Sequence, residues 1–173
     1  MPSSKYTPEQ MARRDTTRWT LVQAILAPLQ LLAFVVSFML ILRYLTTGEG
    51  YEIATVSVLI KILLMWLITV TGMFWEKEVF GQWFLAPEFF WEDAFNGVAM
   101  VMHNLYFVAL MLGWSERELM LLMLVAYITY LINFAQFLVR GLQSRNQRLK
   151  ERGPLPDAII GDEFEPVSVY QEI

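Results

Sequence analysis

The stretch WTLVQAILAPLQLLAFVVSFMLIL, residues 19–42, contains no charged side chain in twenty-four positions. An α-helix rises about 1.5 Å per residue, so roughly 20 apolar residues cross a hydrocarbon core of about 30 Å. The stretch is therefore long enough for one membrane-spanning helix. It lacks the alternation of polar and apolar residues that a spanning β-strand of about 10 residues would require.

Three further stretches are similarly long and poor in charge, at residues 53–75, 94–115 and 119–139. Lys61 is the one charged residue among them. With 56% hydrophobic and 17% charged residues, the whole chain has the composition of a membrane protein rather than of a soluble domain. We therefore predict an all-α integral membrane protein with four transmembrane helices.

The regions before and after these stretches suggest three segments. Residues 1–18 are predicted to form a cytoplasmic amphipathic arm. Residues 143–173 are predicted to form a flexible cytoplasmic tail that is first basic and then acidic. Between them lies the predicted membrane domain, residues 19–142. Its helices are expected at about 19–45, 53–75, 91–113 and 117–141.

Lysine and arginine residues are distributed unevenly around the four predicted helices. Ten of them lie before the first helix, between the second and third, or after the fourth, whereas only Arg43 and Arg117 flank the opposite ends. By the positive-inside rule, both termini and the second loop face the cytoplasm. Basic clusters also occur on nucleic-acid-binding surfaces, but these flank apolar helices, so no nucleic-acid partner is expected.

The chain contains no cysteine and a single histidine, His103. This excludes disulfides, iron–sulfur clusters and thiolate zinc sites, and also a haem held by two histidines of one subunit. Neither a phosphate-binding glycine loop nor an HExxH pattern occurs. Any catalysis is expected to depend on carboxylates, hydroxyls or His103.

The sequence EKEVFGQWFLAPEFFW, residues 76–91, joins the second and third predicted helices. It is too aromatic for a solvated loop and too charged to cross the bilayer. Amphipathic rings are favoured at headgroup depth, so we predict an aromatic interfacial loop. An aromatic belt at the membrane surface is the more common explanation of such a loop. The alternative is one wall of a pocket for a large flat ligand.

The third predicted helix begins with FFWEDAFNGVAMVMHN, which holds two carboxylates, two amides and the histidine. A turn of about 100° per residue puts Glu92, Asn96 and His103 on one narrow stripe. Asp93 and Asn104 form a second stripe beside it. Polar groups are costly in lipid and usually face the bundle interior or a cavity, so this helix is the first candidate for a functional site.

Uncharged polar residues also recur on the first and fourth predicted helices. Gln23 and Gln30 are seven residues apart and share one face. Tyr130, Asn133 and Gln136 are spaced by three residues and form a polar ribbon, and Tyr127 lies beside it. Hydrogen bonds between helices are the more common role of such residues in membranes, and lining a cavity is the alternative.

Two ionisable residues lie deep in the predicted membrane domain. Lys61 is near the middle of the second helix, where a charge costs about 2.5–3.5 kcal/mol on insertion scales, so an anion of the protein or of a ligand is expected nearby. His103 is near the midplane of the third helix. A lone histidine is more often a structural residue than a metal ligand, but a tetrapyrrole partner would favour axial ligation.

Four stretches of the chain have a combined pattern that is specific to one protein family. They are WTLVQAILAPLQLLAFVVS (19–37), RYLTTGEGYEIATVSVLIK (43–61), TGMFWEKEVFGQWFLAPEFFWED (71–93) and AYITYLINFAQFLVR (126–140). These stretches closely resemble the 3-vinyl (formerly 2-vinyl) bacteriochlorophyllide hydratase family of anoxygenic phototrophs. The strings WEKEVFG and APEFFWED are the most specific parts of the resemblance, which covers about residues 5–142 and does not include the acidic tail.

The resemblance implies a hydro-lyase of bacteriochlorophyll biosynthesis. Such an enzyme converts the ring A 3-vinyl group of a chlorophyllide or bacteriochlorophyllide to a 3-(1-hydroxyethyl) group, without a cofactor other than the magnesium tetrapyrrole of the substrate itself. The expected location is the bacterial inner or intracytoplasmic photosynthetic membrane. Other pigment-biosynthesis enzymes or a second copy of the chain are candidate partners. The alternative function is a non-catalytic pigment-binding or assembly subunit of a photosynthetic complex.

Hydration of a vinyl group requires a proton on the terminal carbon and water on the inner carbon, which an acid and a base can supply. Glu92 and Asp93 are the expected acid–base pair, since both lie at the cytoplasmic end of their stripes. Glu76 and Glu78 are the main competing carboxylates.

The remaining candidates would bind the pigment. Lys61 or an arginine at the interface is expected to meet the propionate of the substrate, and His103 is the candidate axial ligand to its magnesium. Aromatic rings of the interfacial loop would pack on the macrocycle. The other expected substrate contacts are Trp83, Phe89, Phe90, Trp91, Asn96, Asn104, Tyr127, Tyr130 and Asn133.

Overall fold

A computed structural model of the 173-residue chain describes residues 6–87 and 89–151. Within these residues the protein consists of α-helices and short connections. The helices are α1 (Pro8–Thr16), α2 (Arg18–Thr47), α3 (Tyr51–Phe80), α4 (Phe90–Met111) and α5 (Glu116–Glu151). Helices α2, α3 and α4, and α5 as far as Gln136, are long and apolar enough to cross a membrane. The prediction of an all-α protein with four helices able to span a membrane is confirmed for the described residues, whereas the orientation of the termini and the interfacial position of the loop stay predictions.

The chain divides into two compact units at residue 137. The first unit contains α1 to α4 and the part of α5 up to Phe137. The second, as far as it is described, is the remainder of α5 from Leu138 to Glu151. Residues 143–151 of the predicted tail therefore lie within a helix, and the acidic part of that tail lies outside the described residues.

Side-chain caps define the starts of two helices. Thr7 accepts a hydrogen bond from the Gln10 amide, and the Gln10 side chain accepts one from the Thr7 amide, which completes a capping box for α1. Ser115 and Glu118 form the same reciprocal pair at the start of α5. These bonds satisfy amide donors that the first turn of a helix leaves without an intrahelical acceptor.

Helix α3 runs five residues beyond its predicted end at Trp75 and stops at Phe80. The charged sequence EKE at residues 76–78 suggested the start of the loop, but it continues the helix beyond the apolar span. Gly81 ends the helix with a backbone φ of 81°, a left-handed conformation that glycine adopts without the steric cost of a Cβ atom. The loop between α3 and α4 is therefore residues 81–89, which is shorter than predicted.

Hydrogen bonds between side chains fix the register of α2 against its neighbours. Gln23 Nε2 donates to Thr71 Oγ1 over 2.8 Å, and Ser57 Oγ donates to Ser37 Oγ over 2.8 Å, so α2 and α3 are antiparallel. The Tyr127 hydroxyl of α5 donates to Ser37 Oγ over 2.6 Å. Polar side chains in the interior of the bundle therefore form hydrogen bonds between helices at these positions. This is the role that the sequence favoured for Gln23 and Tyr127.

The hydrophobic core fills one half of the bundle. It includes Phe34, Ile41, Val58, Tyr106 and Met123, all towards the turns that follow α2 and α4. Close packing of such large side chains is typical of a protein core. The other half, next to the 81–89 loop, is where the structure leaves an open cavity.

The N-terminal helix lies against the end of α3 near this cavity. The Thr17 hydroxyl donates to Glu78 Oε2 over 2.7 Å, and the Tyr6 ring stacks on Phe80 with 5.7 Å between centroids. These contacts join α1 to the last turns of α3. The arm therefore covers one outer side of the wall that encloses the cavity.

Candidate active site

An elongated cavity of about 380 Å³ lies between α2, α3, α4 and α5, beside the 81–89 loop. Along α3 it extends from Met65 to Glu76, eleven residues or about 16 Å of helix. Its end near the loop is called the loop end, and the end formed by Met65, Gln30 and Tyr130 is called the floor. The described lining comprises Gln23, Ala27, Gln30, Met65, Ile68, Thr69, Gly72, Met73, Trp75, Glu76, Phe84, Phe89, Asp93, Asn96, Tyr130 and Phe134.

Two buried carboxylates line the loop end, Glu76 from α3 and Asp93 from α4, with 5% and 8% of their surfaces exposed. Asp93 Oδ2 accepts a hydrogen bond from the Leu85 amide over 3.0 Å, and Glu76 Oε2 accepts one from the Ala86 amide over 3.4 Å. Leu85 has a backbone φ of 57°, which is strained for a residue with a side chain. The two carboxylates thus hold the loop in place as well as facing the cavity.

The four carboxylates that the sequence predicted as catalytic have different surroundings. Glu92 is buried next to Asp93, but the described lining of the cavity does not include it. Glu78 is exposed and accepts the hydrogen bond from Thr17. The structure therefore brings Asp93 to the same cavity as Glu76, from two helices, whereas the expected pairing was with its neighbour in sequence. The catalytic role of each carboxylate stays a prediction.

Uncharged polar side chains line the cavity between the carboxylates and the floor, and Gln30 does so at the floor itself. Asn96 Nδ2 donates to Thr69 Oγ1 over 3.0 Å, and Gln23 donates to α3 at Thr71 and at the carbonyl of Ile68. Gln30 differs, because neither atom of its buried amide has a hydrogen-bond partner among the described residues. Both explanations of the glutamine pair apply, since Gln23 joins helices while also lining the cavity and Gln30 lines it without such a bond.

The aromatic residues of the 76–91 stretch divide into two groups. Phe89 lines the cavity and packs edge-on against Trp75, with 5.6 Å between ring centroids. Phe84 lines it as well, and neither Phe84 nor Trp75 was among the expected substrate contacts. The other expected rings are exposed and outside the described lining, so they form no part of this pocket wall, and the alternative of an aromatic belt stays a prediction. These rings are Trp83, Phe90 and Trp91.

Lys61 lies beneath the floor, and its side chain is fully buried. Its Nζ atom is 3.7 Å from the centroid of the Tyr130 ring, a cation–π contact. Within the part of the chain that the structure describes, no carboxylate forms an ion pair with it, so the expected anion is not supplied there by the protein. Tyr130 itself lines the cavity, so one aromatic ring separates the ammonium group from it.

His103 is also buried beneath the floor and stacks on Tyr127, with 5.5 Å between ring centroids. Its Nδ1 atom is 2.7 Å from the Ala99 carbonyl oxygen, which can only accept, so Nδ1 carries the hydrogen. On a neutral ring, Nε2 is then an acceptor, and it has no partner among the described residues. The described lining does not include His103, so its role as an axial ligand stays a prediction.

Two further expected substrate contacts are not part of the described cavity lining. Asn104 donates to the Met100 carbonyl and accepts from Trp66 Nε1, which makes it part of the α3–α4 contact. The Asn133 side chain lies outside the described part of α5. Among the residues that were searched, no three histidine, aspartate or glutamate side chains come together as a metal site.

Comparison with known proteins identifies one family. The family model for 2-vinyl bacteriochlorophyllide hydratase (BCHF) matches residues 6–143. A 2-vinyl bacteriochlorophyllide hydratase of Rhodobacter capsulatus is 55% identical over 152 residues, which cover 87% of this chain and 89% of the relative. That of Cereibacter sphaeroides is 56% identical over 133 residues, covering 77% and 83%. No solved structure is significantly similar to the chain.

Proposed function

We propose that this chain, which belongs to the 2-vinyl bacteriochlorophyllide hydratase family, adds water to the ring A vinyl group of a bacteriochlorophyllide or chlorophyllide in bacteriochlorophyll synthesis. The product carries a 1-hydroxyethyl group at that position. The reaction is a hydration and changes no oxidation state overall, so we propose that the chain needs no cofactor. The magnesium tetrapyrrole is its substrate.

The observation that supports this chemistry is the pair of buried carboxylates at one end of a largely apolar cavity. Apolar walls suit a flat macrocycle, and a few polar groups in such a pocket orient the reacting part of the ligand. Glu76 and Asp93 come from facing helices, so a vinyl group between them could receive a proton from one carboxyl group while the other accepts a proton from the attacking water.

The proposed reaction proceeds in two steps, each with one carboxyl group. The protonated carboxyl transfers its proton to the terminal vinyl carbon, the π bond breaks, and the positive charge on the inner carbon spreads into the conjugated macrocycle. Water then forms a C–O bond to the inner carbon while the ionised carboxylate accepts a proton from it. The new C–H bond, the new C–O bond and the transferred protons together account for one added water.

With the orientation in the membrane that the positive-inside rule predicts, the loop end of the cavity faces the cytoplasm, where water is available for the reaction. Substrate and water would then reach the carboxylates from the cytoplasmic side of the bacterial inner or intracytoplasmic membrane. A membrane location also suits an apolar pigment that other enzymes of the same synthesis must produce and consume.

A second function, binding of pigment without catalysis, is favoured by a different feature of the same carboxylates. Both accept hydrogen bonds from loop amides, so fixing the loop could be their whole purpose. In that case the cavity would hold a pigment for assembly into a photosynthetic complex. The two functions differ in whether the bound vinyl group changes.

Incubation of the purified full-length chain with a 3-vinyl pigment in heavy-oxygen water tests the proposal. We expect a product with one labelled hydroxyl group, and an absorption band at shorter wavelength because the vinyl group leaves the conjugated system. In deuterium oxide, the product methyl group should carry one deuterium, since the proton comes from a carboxyl that exchanges with solvent. Mass spectrometry and absorption spectra measure both results.

Pigment that stays bound and unchanged for hours in folded protein would contradict hydration and favour the binding function. The same pigment incubated in empty detergent micelles is the control for spontaneous addition of water.

A further inference from the structure

The buried ammonium group of Lys61 has no anion beside it among the described residues. The residue lies one helical turn, four residues, from Met65 of the cavity floor, and its side chain has no exposed surface. Nζ has no hydrogen-bond acceptor in residues 6–87 and 89–151, and its described polar contact is the face of the Tyr130 ring. A ring face compensates a buried ammonium group less well than an anion with hydrogen-bonding oxygens.

Tyr130 is the barrier between this ammonium group and the cavity. The ring covers Nζ at 3.7 Å and also forms part of the cavity lining. Side-chain torsions change between staggered positions without backbone movement. Rotation of the Tyr130 side chain away from Nζ would open Lys61 to a ligand that reaches the floor.

Gln30 provides a second donor close to Lys61. The Gln23–Thr71 and Ser37–Ser57 hydrogen bonds set a register in which residue 30 of α2 faces residue 64 of α3, less than one turn from Lys61. Gln30 is 3% exposed, lines the cavity, and has no described partner for its amide nitrogen. An amide donor and an ammonium group therefore lie on adjacent helices within one helical turn of each other in depth.

We propose that Lys61 and Gln30 bind the propionate carboxylate of the tetrapyrrole, after the Tyr130 ring turns aside. The proposal rests on the proposed function, because it takes a bacteriochlorophyllide or chlorophyllide as the ligand. These pigments carry one permanent negative charge, the propionate, on a different pyrrole ring from the reactive vinyl group. With the vinyl group at the loop end, the macrocycle extends along the cavity and the propionate reaches the floor.

The basic groups near the loop end are less suited to this role. Arg14 holds the carboxylate of Asp15 with two hydrogen bonds of 2.9 and 2.7 Å, and Lys77 donates to the Gly81 carbonyl over 2.9 Å. Both lie at the end of the bundle where the vinyl group is proposed to react. Lys61 is at the other end of the cavity and has no such acceptor in the described chain.

Binding of two matched pigments tests the proposal, 3-vinyl chlorophyllide and its propionate methyl ester, titrated into full-length chain in lipid nanodiscs. We expect the free acid to bind more tightly by roughly tenfold to a hundredfold, the range for hydrogen bonds to a buried charge. The ester should react with unchanged kcat and raised KM, since the contact is equally strong in the ground and transition states. Equal affinity for acid and ester in the unmodified chain would overturn the proposal without any variant.

Two lysine substitutions on the same helix locate the contact. Lys61→Met should bind acid and ester equally, at the level of the ester with the unmodified chain, whereas Lys77→Met should keep the preference for the acid. A preference that survives in Lys61→Met, or that is lost in Lys77→Met alone, would overturn the assignment to Lys61. Acid-selective binding without hydroxyethyl product would uphold this proposal and contradict hydration, so the two can fail separately.

Discussion

Replacing Asp93 by asparagine, or Glu76 by glutamine, is expected to lower the rate of vinyl hydration by about 10²–10⁴-fold, the usual contribution of a positioned general acid or base. An amide has nearly the shape of the carboxyl group but cannot transfer the proton. Affinity for the vinyl pigment should change little, because the apolar walls of the cavity are intact. Single-turnover formation of the hydroxyethyl product, with a separate binding titration, measures the two quantities.

The control for these variants is Glu52→Gln, which removes an exposed carboxylate at the opposite end of α3. It should leave both rate and affinity unchanged. Full activity in both the Asp93 and Glu76 variants would exclude these residues as acid and base. Glu92→Gln is then the decisive comparison, because Glu92 is the buried carboxylate beside them that the sequence also favoured.

The four spanning helices could be predicted from the sequence because their cause is local. An apolar stretch of more than twenty residues with at most one charge must form its backbone hydrogen bonds internally in lipid, and a helix does so with its own residues. Helix ends are less determined by the apolar pattern. The end of α3 depends on Gly81, whose left-handed conformation stops the helix one and a half turns beyond the apolar stretch.

This longer helix decides between two of the predicted carboxylates. Residues 76 and 78 are separated by about 200° on a helix, so they cannot both face the same cavity. Glu76 faces inward and is buried, and Glu78 faces outward to Thr17. If residues 76–78 are predicted to be loop, the sequence does not separate Glu76 from Glu78. Once the helix is known to reach Phe80, helical spacing places the two side chains on different faces.

The rotation of α4 could be predicted only in part. In its stripe of Glu92, Asn96 and His103, the first and last residues are buried and Asn96 is half-buried, so the stripe faces inward as the spacing of polar residues indicated. The helices that face α4 determine which of its polar residues reach the cavity. In the described structure, Asp93 and Asn96 line the cavity. Glu92 and His103 do not belong to its described lining. Such contacts join residues far apart in the chain, so a pattern within one helix does not contain them.

Lys61 illustrates the same limit at a single residue. Its position in the second apolar stretch predicted a need for compensation, because a membrane-buried charge is costly. The sequence could not tell that the compensating group in the folded chain is the ring of Tyr130, sixty-nine positions away. Only the packing of α5 against α3 brings the two side chains together.

Filling the cavity should strongly weaken pigment binding while leaving the fold intact. Ala27 lies on α2 between Gln23 and Gln30 and shares their cavity-lining face. In Ala27→Trp, the indole ring should occupy space that the macrocycle needs. We expect KM and the dissociation constant to rise a hundredfold or more, at least about 2.8 kcal/mol of lost binding free energy. Pigment titration and circular dichroism measure affinity and helix content.

Leu32→Trp is the matched control for this substitution. Leu32 is on the same helix, is 60% exposed, and does not belong to the described lining of the cavity. The added ring should lie in lipid and leave pigment affinity unchanged. If Ala27→Trp binds pigment as tightly as Leu32→Trp, with the same helix content, then the pigment does not occupy this cavity. The proposed roles of the two carboxylates and of Lys61 would then fail together, because all of them require pigment in this cavity.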